Sequence, residues 1–330
     1  MAVSCSYLGW LYIWDVSTGE LKQHYQVLKQ EMAQLMDCEV FPGAAKGEAR
    51  LVTCGGEGEV LFYGGASWET LEQEWKYDKT NGGHTATTRG VSVCKSGTRV
   101  ISCSKDKEIH VIDLELDGSG RVLGGHCARK LTGHTGLVDR CQLFDDDRKL
   151  LSASWDNHAK VWDVETGECL KTLVGNGNKL RGCATFRDKN GRQERAVAVG
   201  SGDTLCVWDL DLEDKKDFVP TTVQIPTEHK STTWGLALEA RPKFDAPLVI
   251  TYSNDGTIKC WDLSHGQERE CVGGRRALNP PPMCVAVVDP AFAHGQFSVL
   301  VGCTDEIKMC DLSSIHTNPS AGAIWEVRKT

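Results

Sequence analysis

Long apolar runs are missing from this chain. No stretch of 18 apolar residues occurs, so the sequence predicts no membrane-spanning helix. An excess of basic residues is missing too. Lys and Arg number 37 against 45 Asp and Glu, for a net charge of −8. A field of that sign disfavours nonspecific nucleic-acid binding, though it leaves room for a local basic patch. Cysteine is abundant (15), but the number is odd, the residues are scattered and no CxxC pair occurs. They read as buried, reduced thiols acting as small apolar side chains, which points to a reducing compartment such as the cytoplasm. The other reading, disulfides, would need an oxidising compartment. No His or Cys pair has zinc spacing within a loop; His84 and His126–Cys127 are weak candidates, and no metal or cofactor is expected. The Gly-rich spots CGGEGE and GNGN lack a following helix or a GK[ST], which excludes a phosphate loop. Met1 to Trp14 lacks the basic start of a signal peptide.

Short strands and turns are what the chain does have. Gly (34) and Trp (10) are frequent, and no long helical period stands out. At 330 residues the chain exceeds one ordinary core, so it holds two domains or grows by repetition. The stretch from His134 to Leu173 decides between these. Four runs with two-residue alternation (Val138–Phe144, Lys149–Ala153, Ala159–Asp163 and Cys169–Leu173) are separated by turn signals. A four-stranded meander of about 40 residues cannot cover its own faces and needs similar neighbours.

Those neighbours are present. Aligning on Trp162 gives seven marks, Trp14, Tyr63, Ile112, Trp162, Trp208, Trp261 and Cys310, spaced 46 to 53 residues apart. Six residues before the mark lie Leu8, Glu57, Asp106, Asp156 and Asp255; in the fifth and seventh units Asp203 and Asp305 lie five before. Four residues before that turn position stand the hydroxyls Ser4, Thr53, Ser102, Ser152 and Thr251, and His84, His134 and His229 open three of the units.

With these residues the whole chain, 1–330, resembles a WD-repeat (WD40-type) β-propeller, read as one domain. The resemblance implies an all-β fold: a seven-bladed β-propeller of four-stranded antiparallel blades. It also implies hydrogen-bonded tetrads inside the blades, His134, Ser152, Asp156 and Trp162 in one and His229, Thr251, Asp255 and Trp261 in another. In the third unit Ile112 replaces the indole and would cut the chain of bonds short. The recurrence of the set in several units argues against a hydrolytic triad. Met1–Tyr7 reads as the second strand of its blade. The C-terminal strand Ala323–Val327 is therefore expected to pair with the N-terminal blade and close the ring; the alternative makes it the outer strand of the seventh blade.

Family members bind peptides or proteins on one rim. By resemblance, two positions per unit face that rim. The first gives Met36, Arg89, Asp139, Arg181, Trp234 and Met283, with Trp325 if the tail closes the ring. The second gives Tyr7, Gly56, Lys105, Trp155, Gly202, Asn254 and Thr304. Arg, Trp and Met together are interface-anchor types. The expected function is a noncatalytic protein–protein interaction scaffold, a subunit or adaptor of a larger assembly. Its partners would be proteins or peptides carrying acidic and aromatic side chains, with no membrane insertion and no direct nucleic-acid contact. A ribosome- or RNA-particle-associated propeller would want a basic face. An enzyme with a channel site would want convergent carboxylates at inner-strand positions, which read as mostly apolar or small.

Overall fold

The computed structural model describes residues 2–6, 8–15, 21–28, 34–41, 49–187, 194–210, 223–239, 248–263, 271–273, 282–288, 298–303, 307–311 and 327–329. Two compact units emerge, one within Met1–Asp15 and Glu20–Thr172, the other chiefly Leu173–Thr330.

Every described sheet is an antiparallel meander. In the first unit β1 (Ala2–Cys5), β2 (Trp10–Trp14) and β3 (Leu21–Gln26) form a three-stranded sheet. Three four-stranded sheets follow: β4 (Leu35–Val40) to β7 (Glu72–Tyr77) through β5 (Ala49–Gly55) and β6 (Glu59–Gly65); β8 (Thr88–Val93) to β11 (Val122–Leu131) through β9 (Arg99–Ser104) and β10 (Ile109–Leu116); and β12 (Val138–Phe144) to β15 (Cys169–Val174) through β13 (Lys149–Ser154) and β14 (His158–Asp163). The second unit holds β16 (Leu180–Arg187), β17 (Glu194–Gly200), β18 (Thr204–Asp209) and β19 (Val223–Pro226). It continues with β20 (Thr233–Glu239), β21 (Leu248–Ser253), β22 (Ile258–Asp262) and β23 (Cys271–Gly273), then β24 (Pro282–Val288), β25 (Ser298–Cys303), β26 (Ile307–Asp311) and β27 (Val327–Lys329).

The alternation read between His134 and Leu173 gives strands that match to within one residue, because a half-buried strand needs one apolar side chain in two. Six of the seven marks fall on the third strand of a four-stranded sheet and pair in the same register with the second: Leu51 with Tyr63, Val100 with Ile112, Leu150 with Trp162, Ala196 with Trp208, Val249 with Trp261 and Val299 with Cys310; Trp14 lies on β2, the middle strand of the three-stranded sheet, opposite Ala2 of β1. Ile112, Trp162, Trp208 and Trp261 are buried, and Ile112, Trp162 and Trp261 pack into apolar clusters. The cysteines from Cys5 to Cys260, with Cys284, are free thiols, and Cys54 and Cys103 are wholly buried in β5 and β9.

The residue after each turn position takes a left-handed backbone in five units: Gly9, Gly58, Lys107, Asn157 and Gly256. That geometry closes the tight hairpin between second and third strands and explains the Gly and Asn there.

The C-terminal strand departs from expectation. Val327–Lys329 pairs with β26, Cys310 opposite Val327 and Lys308 opposite Lys329, and takes the outer place of its own sheet in preference to the edge of β1. Returning antiparallel onto the strand just before it closes a short loop, which costs less chain entropy than joining the two ends of the chain. Residues 323–326 of that expected strand lie outside the described residues.

Candidate functional site

The polar residues that recur in several repeats are engaged inside the sheets. In the sheet β12–β15 the Trp162 indole N–H donates to Ser152 Oγ (2.9 Å), and Ser152 Oγ lies 2.8 Å from His134 Nε2. His134 Nδ1 lies 2.8 Å from Asp156 Oδ2, which also accepts the Thr135 backbone N–H. Each donor thus finds an acceptor in a site closed to water. Burial lowers the His134 pKa and keeps the ring neutral. Burial works against the Asp156 charge, but hydrogen bonds from His134, Thr135 and His158 outweigh it and hold the carboxyl well below the usual range. A neutral imidazole locked at both nitrogens has no free nitrogen to act as a base toward a substrate.

The other sets differ in detail. In the second unit Trp261 donates to Thr251 Oγ1, which lies 2.9 Å from His229 Nε2. There His229 Nδ1 meets Thr257 Oγ1 at 2.8 Å, and Thr257 passes the contact to Asp255; the direct His229–Asp255 separation is 3.6 Å. Thr257 was invisible as a member because it lies outside the repeated positions. In the third repeat His84 joins Ser102 and Asp106, both at 2.9 Å. The network does not stop at Ile112 but turns sideways. The His84 and His110 rings stack at 3.8 Å, and His110 reaches Tyr77 Oη and Glu108 Oε2 at 3.0 Å each. Burial and the neighbouring His84 push the His110 pKa down to about 4. His84, Asp106 and His110 bring possible metal-ligand atoms within 4.8 Å of one another. Both nitrogens of His84 are already engaged, and the imidazole planes stack instead of converging on a point, so the cluster is hydrogen-bonded packing.

The rim positions have a common backbone cause. In all six first strands with a described partner, β4, β8, β12, β16, β20 and β24, one residue is skipped in the ladder to the second strand. Those residues are Met36, Arg89, Asp139, Arg181, Trp234 and Met283. A β-bulge leaves its extra residue out of the ladder and re-aims its side chain. The second rim set lies beside it. Lys105, Trp155 and Asn254 each donate a backbone N–H to the residue just before the neighbouring first strand, Thr87, Leu137 and Thr232. A signal for the bulges was present in the sequence as Arg89–Gly90, Arg181–Gly182 and Trp234–Gly235. A Cβ on Gly182 would lie 2.8 Å from the Gly235 Cα, so β16 and β20 approach too closely there for any side chain.

Residue type alone did not show how these side chains would be used. Arg89 and Asp139, expected as separate anchors, grip each other: Arg89 Nε lies 2.7 Å and Nη2 2.6 Å from Asp139 Oδ1. Asp139 is only 3% exposed, and its other oxygen accepts the Trp155 indole N–H at 3.0 Å. Met36 Sδ sits 3.6 Å from Arg89 Nη1. Asp139 is therefore a buried linchpin and Arg89 is neutralised in place. In the second unit Arg181 lies over the Trp234 ring, 4.5 Å from its centroid. Lys105 and Asn254 are exposed, and Met283 is half-buried. Tyr7, Thr304 and Trp325 lie outside the described residues.

Two carboxylates were overlooked. Asp37 and Glu39, on alternate positions of β4, accept the backbone N–H groups of Val91 and Val93 from the edge of β8. They satisfy an open strand edge. Burial, with the nearby Asp37 charge, pushes the Glu39 pKa up to about 8. The folded protein thus keeps a proton that the unfolded chain releases near its ordinary value. This contribution to stability is full below about pH 4.5 and is lost as pH rises through 8, at no more than ~1.4 kcal/mol per pH unit. Glu39→Gln keeps the acceptor without the titration. Urea unfolding across this window should show a flatter pH dependence for the variant than for the parent; parallel curves would refute the assignment.

Comparison with known proteins now bears on this geometry. The family model described as "WD domain, G-beta repeat" matches residues 75–113, 125–163 and 221–262. The chain contains WD repeats. The matched segments cover β7–β10, β11–β14 and β19–β22, each a set of strands that closes on a marked third strand. The chain is 25% identical over 279 residues to "Nuclear distribution protein PAC1" of Arthroderma otae, covering 79% of this chain and 55% of that protein. It is 23% identical over 273 residues to "Nuclear distribution protein nudF" of Aspergillus niger, covering 77% and 54%. It is 27% identical over 190 residues to "Eukaryotic translation initiation factor 3 subunit I" of Drosophila ananassae, covering 56% and 54%. The chain thus spans about half the length of these relatives. No helix among the described residues is long and apolar enough to cross a membrane.

Proposed function

We propose that this WD-repeat protein is a single seven-bladed propeller spanning 1–330 and acts in the cytoplasm as a noncatalytic scaffold. It would be a subunit or adaptor of a larger assembly, gripping protein partners on the rim formed by the bulge residues and their turn neighbours. The observation that carries this reading is the bulge repeated at the same ladder position in six sheets. It gathers the most varied side chains of the repeat, Met, Arg, Asp, Arg, Trp and Met, at one end of the sheets, while the repeated polar residues are consumed by hydrogen bonds within them. The relatives' names, a nuclear distribution protein and a subunit of an initiation factor, fit membership of an assembly. Trp155, Trp234, Lys105, Asn254, Met36 and Met283 would make the contacts, with Arg89 and Asp139 holding the rim in shape.

The test is affinity capture from the source organism, read by quantitative mass spectrometry. A rim variant (Lys105→Glu, Trp234→Ala, Asn254→Ala) should lose a defined set of co-purifying proteins. A control at the opposite strand ends (Asp146→Ala, Arg148→Ala) should retain them. Equal recovery with both variants would overturn the face assignment.

A further inference from the structure

The turn between β9 and β10 breaks a rule that the other tight turns keep. The left-handed residue is Gly9, Gly58, Asn157 or Gly256 in those turns; here it is Lys107, at φ +76. A Cβ is disfavoured in that backbone region, a penalty that glycine escapes. Such outliers collect at binding sites, where the surroundings fix the backbone. The surroundings do so here. The Lys105 N–H donates to Thr87 O (2.9 Å) and the Lys107 N–H to Ser104 O (3.2 Å), while the Ser104 hydroxyl reaches Ala86 O and Thr87 O.

The charge of this turn is one-sided. Asp106, between the two lysines, is turned inward and only 8% of its side chain is exposed. Its Oδ2 lies 2.9 Å from His84 Nδ1 and accepts the Thr85 N–H, and its Oδ1 accepts the Glu108 N–H. Glu108 in turn faces His110 and Lys130. Lys105 and Lys107 are exposed, and neither ammonium has an ion pair or hydrogen bond among the described residues. Other exposed lysines of the first unit do find a carboxylate: Lys79 at Glu57, Lys95 at Asp146 and Lys130 at Glu108. Two ammonium groups on one hydrogen-bonded turn thus stand without a countercharge, on a chain whose net charge is −8.

We propose that the Lys105–Asp106–Lys107 turn is a receptor for a doubly anionic element of a protein partner, either two neighbouring carboxylates or one phosphorylated side chain. The inward Asp106 keeps the turn from neutralising itself. The hairpin fixes both lysine backbones before the partner arrives, so less freedom is lost on binding. Two charges on one turn favour a ligand that brings two. Arg89 has no part in this, since its charge is met by Asp139. The assignment rests on the rim reading above and adds to it Lys107, which belongs to neither set of rim positions.

The experiment uses the full chain labelled with 15N-lysine. The backbone signals of Lys105 and Lys107 are identified by their loss in Lys105→Gln and Lys107→Gly. The probes are an acetylated Gly-Glu-Glu-Gly amide, an acetylated Gly-phosphoserine-Gly amide, and an acetylated Gly-Gln-Gln-Gly amide as the uncharged control. Both signals should move saturably with one or both acids and stay still with the glutamine peptide. Whichever acid binds more tightly tells a carboxylate pair from a phosphate. Each single variant, read at the other lysine, should weaken binding by about 3-fold or more. Lys107→Gly should at the same time raise the urea unfolding midpoint, because it relieves the left-handed side chain. Binding that weakens while folding strengthens is the signature of a recognition residue. Signals indifferent to both acids, an equal response to the glutamine peptide, or full affinity in Lys107→Gly would each overturn the proposal. Tighter binding of an oligothymidylate through the same two lysines would also overturn it and make the turn a nucleic-acid contact. Loss of partner capture in the rim variant with no acid response at Lys105 and Lys107 would remove the receptor and leave the rim standing. An acid response with capture unaffected would do the reverse.

Discussion

Replacing Asp139 by Ala is expected to lower the stability of the first unit by about 3–5 kcal/mol, the largest single effect foreseen for a rim position. The side chain is 3% exposed and serves two donors at once. Its removal leaves a guanidinium at Arg89 and an indole N–H at Trp155 without the acceptor around which both are packed. Asp139→Asn keeps an oxygen for Trp155 but loses the ion pair, and should cost less, about 1–3 kcal/mol. Urea unfolding followed by fluorescence and by hydrogen exchange in β8 and β12 would rank the two. If both variants unfold with the parent, Asp139 is an exposed contact residue after all, and the linchpin reading fails.

The second large effect belongs to Ser152→Ala. Ser152 is fully buried and stands between Trp162 and His134. Without its hydroxyl an indole donor and an imidazole nitrogen both lose a partner inside a dry sheet, which should cost about 2–4 kcal/mol. Ser102→Ala makes the comparison sharp. Ser102 serves His84 in the same way, but the third strand offers Ile112 where an indole would stand, so one group is orphaned and about 1–2 kcal/mol is expected. Equal losses at the two serines, measured by the same unfolding experiment, would show that the indole bond contributes nothing.

The sheets were legible in the sequence because their signals are local. A period of two, a turn residue and a returning Trp or Ile are all set within one repeat, and Val138–Phe144 could be placed to the residue. The bulge positions were legible by alignment, since the bulge recurs at one register in each repeat. What each bulge residue does was not legible. Arg89 and Asp139 are far apart along the chain, and nothing in either residue type says that one will spend its charge on the other. Asp37 and Glu39 escaped notice for a similar reason: their partners are backbone N–H groups of β8, which carry no sequence signature. His110 escaped because its position holds Lys160 and Lys259 in other repeats, so only the stacked ring of His84 reveals its role. The C-terminal strand could be read two ways from pattern alone, and the pairing with β26 shows which applies to Val327–Lys329.

The bulge has one more consequence. A residue outside the ladder contributes no cross-strand pair, so its side chain can be exchanged without shifting the register of a single neighbouring strand. Foldability and molecular vocabulary are then written on separate letters of the same repeat. In the first unit two of those letters have been used up on one another and can no longer vary independently. In the second unit Trp234 stands beside a glycine pair, Gly182 and Gly235, that sets the close approach of β16 and β20. New recognition should therefore be easier to install at 234 and 283 than at 89 and 139, where any rewriting must replace both characters together.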